Sequence, residues 1–469
     1  MWKNVCMKTE NCVIAGSGIC GIFASILLAD IFDNVYVIEK EGTCGGLLKS
    51  VTDDAGITYD QGTHVPNTTL IPEIDDILFG KENERHALWH ELGKLRTGNY
   101  FCGKWNLMHQ MIDVRNLPES VYQQGILELL SLTQESQAED IVTHLLETLG
   151  PTFTQQVIAP IAHKLYGKDV DLSLLVKNSS VSYFGLNRVV ALNAEVSKKL
   201  KELAAFDGKL TYHTEQCFEE RIKKDNIPQT TNYYPKNGEG VGFWVDFLLK
   251  QAKSKGVIFL TGEYINEIHH NDKTIRSLSL GLSEKELACD FLFWTAPPIL
   301  ALKAAKITVP QRNLSFRSAC IFHFTLDKPL LNQSAYYLWN WDVEYKGFRI
   351  TLYPNMQNKA ESTDYKVTVE TLCNAGEAEN ISLSEMYQEL IDIGIVDESA
   401  KVLSQLKQVI HHTFPIPTFE FNDAVKSNYE TLSNAFDNIH IAGRFAGKSW
   451  FHQDVLKDVY FDIKKLFSH

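Results

Sequence analysis

Residues Asn11 to Lys40 read NCVIAGSGICGIFASILLADIFDNVYVIEK, and few folds accommodate that order of patterns. An apolar run, Cys12 to Ala15, has the length and composition of a buried parallel strand. It enters the GxGxxG turn Gly16-Ser17-Gly18-Ile19-Cys20-Gly21, and an apolar helix rich in small residues follows. A second strand, Val35 to Ile38, ends at Glu39, which stands 23 positions after Gly16. That is close to the roughly 20-residue spacing at which a carboxylate accepts the ribose hydroxyls of a dinucleotide. Each glycine has a physical task. Gly16 allows the tight turn, Gly18 lets the backbone approach a pyrophosphate, and Gly21 lets helix pack on strand. The helix start then offers unpaired N–H groups and about half a positive charge to the phosphates. Strand, turn, helix, strand and acid in sequence predict a dinucleotide-binding domain.

The rest of the chain must do something else, because 469 residues exceed what one core holds and predict two domains. A formal net charge of -13 argues against nucleic acid or an anionic membrane as partner, so an anionic ligand needs a locally basic pocket. Nine cysteines, an odd number with no CxxC pair and no histidine cluster, indicate neither a disulfide framework nor a metal site. They read as reduced thiols in a cytoplasmic protein. The N-terminus lacks the apolar core of a signal peptide. The apolar stretch Ile19 to Phe32 is too short, and broken by Asp30, to span a bilayer.

After Glu39 comes Lys40-Glu41-Gly42-Thr43-Cys44-Gly45-Gly46-Leu47-Leu48. Here the sequence resembles the FAD-binding group containing amine oxidases, protoporphyrinogen oxidases, phytoene desaturases and UDP-galactopyranose mutases. The resemblance implies that Gly45 and Gly46 carry the chain past a flavin. It also implies that the segment Gly56 to Val65 (GITYDQGTHV) reaches the flavin ring with Gly62, Thr63 and His64. A second mark is Asn438 to Arg444 (NIHIAGR), a strand ending at Gly443 with a helix from about Gln453 to Phe467. Tyr234 to Gly240 and the strand Asp290 to Thr295 fit the same pattern, the latter ending at Pro297-Pro298 because proline cannot pair in a sheet. The implied cofactor is noncovalent FAD. Its contacts would be Gly16, Gly18, Ile19, Cys20, Gly21, Glu39, Lys40, Gly45, Gly46, Leu47, Gly62, Thr63, His64, Gly443 and Arg444. With no cysteine after Cys373, a thioether-linked flavin is not expected.

The expected fold is therefore α/β: a Rossmann-type FAD-binding domain (8–90, 232–300 and 435–469) interleaved with a mixed α+β substrate domain (91–231 and 301–434). Leu117 to Leu132 and Ala138 to Leu149 read as packed helices. Lys164-Leu165-Tyr166-Gly167 resembles a helix end found near the active site of these relatives, and reads equally as a capped helix end with Gly167 at a left-handed cap.

Fold alone leaves the chemistry open. Phe316-Arg317-Ser318 and Phe348-Arg349-Ile350-Thr351, with the aromatic stretch Tyr336 to Trp341 between them, resemble the arginine-bearing stretches of UDP-galactopyranose mutases. A nucleotide sugar carries a diphosphate that an acidic protein must hold with positioned guanidinium forks. Arg317, Arg349 and Tyr337 are thus candidate substrate contacts, the alternative being ordinary ion-paired arginines. The mutase resemblance implies reduced flavin acting on the anomeric carbon without net redox change, with His64 as the candidate catalytic side chain tuning the flavin or relaying a proton. A histidine merely satisfied in its turn is the alternative. The sequence also departs from the mutases. Pro66-Asn67-Thr68 replaces their second histidine and phenylalanine, Leu352 stands where they carry a glutamate, and Phe445 to Trp450 replaces a tyrosine-rich segment. A relative acting on a nucleotide sugar in surface-glycan synthesis is the first expectation. An oxidoreductase of the amine oxidase, protoporphyrinogen oxidase or desaturase type is the second, and a flavoprotein without turnover the third.

Overall fold

The structure, a computed structural model, describes residues 11–177, 186–212, 214–357 and 365–467, so the outermost bounds of the expected cofactor domain lie outside it. Five parallel strands form one sheet, in the order Ile258–Thr261, Asn34–Glu39, Asn11–Ala15, Phe291–Trp294, Ile439–Ile441. Its central strands are apolar at successive positions because both faces are covered. Cys12, Ile14, Val35 and Val37 point to one face, under the helices Ile19–Leu28, Gly242–Ser254 and His452–Phe467. Val13, Ala15, Ile38 and Leu292 point to the other, under the helix Pro298–Ala304 and an antiparallel sheet of Ile265–Asn271, Thr274–Leu280 and Glu286–Ala288. The period of two along the strand sorts its side chains between two cores.

Seven strands form the second large sheet, in the order Val402–Pro415, Phe316–Leu326, Tyr365–Cys373, Gly347–Leu352, Tyr337–Asn340, Thr97–Phe101, Lys104–Asn106. Pairing is antiparallel except between Tyr337–Asn340 and Thr97–Phe101, which run parallel because the chain between them crosses the cofactor-side sheet. On one face Cys320, Phe322, Phe324 and Val369 pack with the helix Leu383–Asp392. On the other, Ala319, Ile321, Trp339 and Leu372 join a core built by helices between Glu119 and Tyr166. The helices Glu119–Ser131 and Ile141–Thr148 fall where the apolar spacing predicts them.

One local expectation is corrected. Gly167 follows the helix Ala159–Tyr166 but with φ 114° and ψ 146°, outside the left-handed cap region. The positive φ still favours glycine. Before it, Lys164 is half-buried and its ammonium donates to the carbonyls of Asn340, Asp342 and Gly347 at 2.9, 2.7 and 2.9 Å. Burial brings its pKa down to about 7, against the pull of Glu389 and Asp342. Lys164 thus fastens the turn between two sheet strands.

Candidate active site

The carboxyl ends of the parallel strands open onto a cavity of about 890 Å3. The turn after the first strand explains how. Gly16 takes φ 98°, and a Cβ there would lie 2.6 Å from Thr295 Oγ1, whose hydroxyl donates to the Ala15 carbonyl. A Cβ on Gly21 would lie 2.0 Å from the Gly16 carbonyl oxygen, so helix and turn touch only because it is glycine. Gly18 differs: its backbone is ordinarily extended, φ -64° and ψ 172°, and a Cβ would meet nothing within 4 Å. Its bareness leaves space toward the cavity. Gly45, at φ 115°, bonds back through its N–H to the Ser17 carbonyl, and Gly46 packs on Gly18.

Glu39 ends the second strand, buried, with one carboxylate oxygen accepting from Ser17 N–H and hydroxyl at 2.9 and 2.7 Å and the other from Glu41 N–H at 2.9 Å. A carboxylate at the strand end, a bare glycine and a helix start face one groove of ligand size, and together they fit a dinucleotide. Cys20 also lines the groove, but burial pushes its thiol up to about 12, so it is no nucleophile.

A second cavity of about 260 Å3 adjoins the first, and Leu47, His64, Arg444 and His452 line both. Its roof is one face of the seven-stranded sheet. Ala319, Ile321, Glu370, Arg349 and Tyr337 lie side by side there, on four strands in succession. Arg349 Nε and an Nη donate to the two oxygens of Glu370 at 2.8 and 2.6 Å. The same carboxylate accepts from Thr63 N–H and hydroxyl at 2.9 and 2.8 Å. Gly62, at φ 93°, lets the loop settle there, since a Cβ would lie 2.9 Å from Glu370. Burial works to raise the Glu370 carboxyl, but Arg349 and Thr63 outweigh it and hold it below its usual range. Tyr337 donates its hydroxyl to Gln110 at 3.2 Å.

The two imidazoles at the junction are neutral. Burial, aided by Arg349, takes His64 down to about 4, and burial with Arg444 takes His452 down to about 3. His64 Nε2 lies 3.1 Å from the Gln61 carbonyl. A carbonyl only accepts, so this nitrogen carries the hydrogen and Nδ1 keeps the lone pair. Arg444 donates to the Trp450 carbonyl at 2.9 Å and stacks 4.7 Å from its ring centre.

The sequence-expected residues distribute as follows. Gly16, Gly18, Ile19, Cys20, Glu39, Lys40, Gly45, Leu47, His64, Gly443 and Arg444 line the larger cavity. Thr63, His64, Arg349 and Tyr337 line the smaller. Gly21, Gly46 and Gly62 stand behind these walls as packing positions. Arg317 is in neither wall. It is buried, donating to the Leu372 carbonyl at 2.9 Å and to the Asn374 side chain. Sequence reasoning also missed Glu370 and His452. Glu370 sits in an unremarkable strand, VTVETLC, where only an acid amid apolar residues hints at a buried partner.

A family model described as an NAD(P)-binding Rossmann-like domain matches residues 14–76. A comparison with curated proteins gives no match. Among solved structures the chain is similar to reduced UDP-galactopyranose mutase, with TM-score 0.72 and 18% identity over 98% of this chain and 95% of that one. It is also similar to a protoporphyrinogen oxidase-like protein from Exiguobacterium sp. 255-15, with TM-score 0.65 and 14% identity over 98% and 99%. A third is the CLA-producing fatty acid isomerase from P. acnes, with TM-score 0.56 and 14% identity over 99% and 100%. The chain thus shares, over nearly its whole length, the fold of this group of FAD oxidoreductases and mutases. Among the described residues no helix is long and apolar enough to cross a membrane.

Proposed function

We propose that the chain is an FAD-dependent enzyme of the UDP-galactopyranose mutase kind, holding FAD noncovalently in the larger cavity and a nucleotide sugar in the smaller. The observation that carries this reading is the placement of Arg349, buried in the roof of the smaller cavity with its guanidinium plane fixed by Glu370. A fixed fork beside Tyr337 is preorganised for a phosphate or sugar oxygen. Gly18 admits the cofactor pyrophosphate, and Glu39 is sited for ribose hydroxyls. His64 faces both cavities and offers Nδ1 to a proton at the meeting point of cofactor and substrate. When bound, FAD supplies a ring that is nucleophilic when reduced and accepts hydride when oxidised. The reading carries with it a cytoplasmic role in surface-glycan synthesis.

A second reading, hydride transfer from a compact substrate, is favoured by a different observation. Glu370 balances the charge of Arg349, and Ala319, Ile321, Ile410 and Phe414 make much of the smaller cavity apolar. Anaerobic mixing of oxidised and pre-reduced protein with a panel of nucleotide sugars separates the two. A rearranged sugar formed only by reduced protein, with the flavin still reduced afterwards, supports the mutase reading. Bleaching of oxidised flavin by a substrate supports the second. No response in either state overturns the nucleotide-sugar assignment.

A further inference from the structure

Of the four residues shared by both cavities, His452 is the one with a buried side-chain polar atom that lacks a partner among the described residues. It opens the helix His452–Phe467, and its ring stands edge-on to Trp244, centroids 5.5 Å apart at 74°. Trp244 is itself fully buried and anchored through its indole N–H to the Leu78 carbonyl at 2.8 Å. The imidazole is thus held by a rigid neighbour. Its Nε2 is buried and has no partner among the described residues. Native interiors rarely leave such an atom unmatched without a bound water, ion or ligand to meet it, and His452 Nε2 is the atom of this kind on a residue that lines both cavities. The other imidazole at the junction, His64, has its Nε2 matched by the Gln61 carbonyl, so the two histidines are not equivalent.

Resting on the FAD reading above, we propose that His452 Nε2 hydrogen-bonds the polar edge of the flavin ring where the two cavities meet, and so positions the cofactor. A heteroaromatic ring with alternating carbonyl and N–H groups suits a neutral imidazole, which can serve either polarity by choice of tautomer. Burial and the adjacent Arg444 keep it neutral, so the bond is not a salt bridge and does not require low pH. A substrate phosphate would instead be met by a charged donor.

The test compares wild type with His452→Phe and His452→Gln, titrated with FAD. Loss of one neutral hydrogen bond predicts that Phe, which keeps the packing on Trp244, weakens FAD binding about five- to tenfold and shifts the visible flavin spectrum. Gln, which can still hydrogen-bond, recovers part of both. Should the Phe variant fail to fold, isotope-labelled histidine in the wild type gives the same answer. The His452 Nε2 resonance, assigned by its absence from the Gln variant, must move when FAD is added. A wild-type holoprotein whose Phe variant matches it in affinity and spectrum, or whose Nε2 resonance stays fixed, overturns this inference alone. A wild-type chain that takes up no FAD overturns the cofactor reading and this inference together.

Discussion

Arg349 and Glu370 face each other directly across adjacent antiparallel strands, both buried, with two N–H donors meeting two oxygens. The pair also anchors Thr63 and so fixes the loop that carries His64. Removing one partner of such a pair leaves the other charge buried, which costs about 3–5 kcal/mol. Glu370→Ala is therefore expected to lower stability by that order in denaturant unfolding. Glu370→Gln, which keeps an acceptor for Thr63, is expected to lose less.

The two arginines singled out in the sequence are expected to behave oppositely. Arg349→Lys keeps a positive charge near Glu370 but loses the planar fork, and KM for an anionic substrate should rise about 10- to 100-fold. Arg317→Lys strands the acceptors at Leu372 and Asn374, so it should reduce stability by about 1–3 kcal/mol with KM unchanged. Steady-state kinetics beside thermal melts on both variants decide it. A KM effect from Arg317 would contradict its placement.

Arg317 and Arg349 look alike in sequence, each after a phenylalanine at the start of an apolar run. What separates them is position along the strand. Arg317 shares a face with Ala319 and Ile321 but lies at the strand's start, beyond the cavity, where it meets Leu372 and Asn374, and no local pattern announces that. The cofactor side was more legible because its chemistry is local. The turn Gly16 to Gly21, its flanking strands and Glu39 lie within one short segment whose glycines have separate steric reasons. The substrate side is assembled from four strands and two loops distant in sequence. Glu370 therefore read as a strand residue and His452 as an ordinary helix start.

Gly18 and Gly21 give a sharper test of that local chemistry. Gly21→Ala drives a methyl against the Gly16 carbonyl, and overpacking of this kind costs about 1–3 kcal/mol or more. Gly18→Ala meets open space in a conformation any residue adopts, so stability should change by less than about 0.5 kcal/mol. If the larger cavity holds FAD as proposed, its affinity should nevertheless fall about tenfold or more, since the methyl would occupy the approach of the pyrophosphate. Apo-protein melts and FAD titrations on both variants separate packing from ligand contact.

Asp60 predicts a pH effect away from the cavities. Its carboxyl accepts from Val241 N–H at 2.6 Å and Tyr234 hydroxyl at 2.9 Å, yet burial pushes its pKa up to about 7. The unfolded chain ionises it near pH 4. Between about pH 4 and 7 the folded state holds the proton and the unfolded state does not, so this group makes stability fall as pH rises through that window. Asp60→Asn, which mimics the protonated form and keeps an acceptor for Val241, should abolish that contribution. Urea unfolding of both proteins across the window checks it.

The imidazoles at the junction push the other way. His64 and His452 stay neutral down to about pH 4 and 3, whereas in the unfolded chain each protonates below about 6.5. Their contribution is complete above 6.5 and is lost as pH falls, because the unfolded state then binds protons that the folded state refuses. Over pH 4 to 6.5 this opposes Asp60, but two rings outnumber one carboxyl, so wild-type stability should climb with pH about half as steeply as the two histidines alone would make it. In Asp60→Asn the histidine limb is left unopposed, so stability should climb with pH across that range. Adding His452→Gln, which removes one titrating ring, should flatten the climb again. A double variant as steep as Asp60→Asn would show that His452 protonates as readily in the folded protein as in the unfolded one.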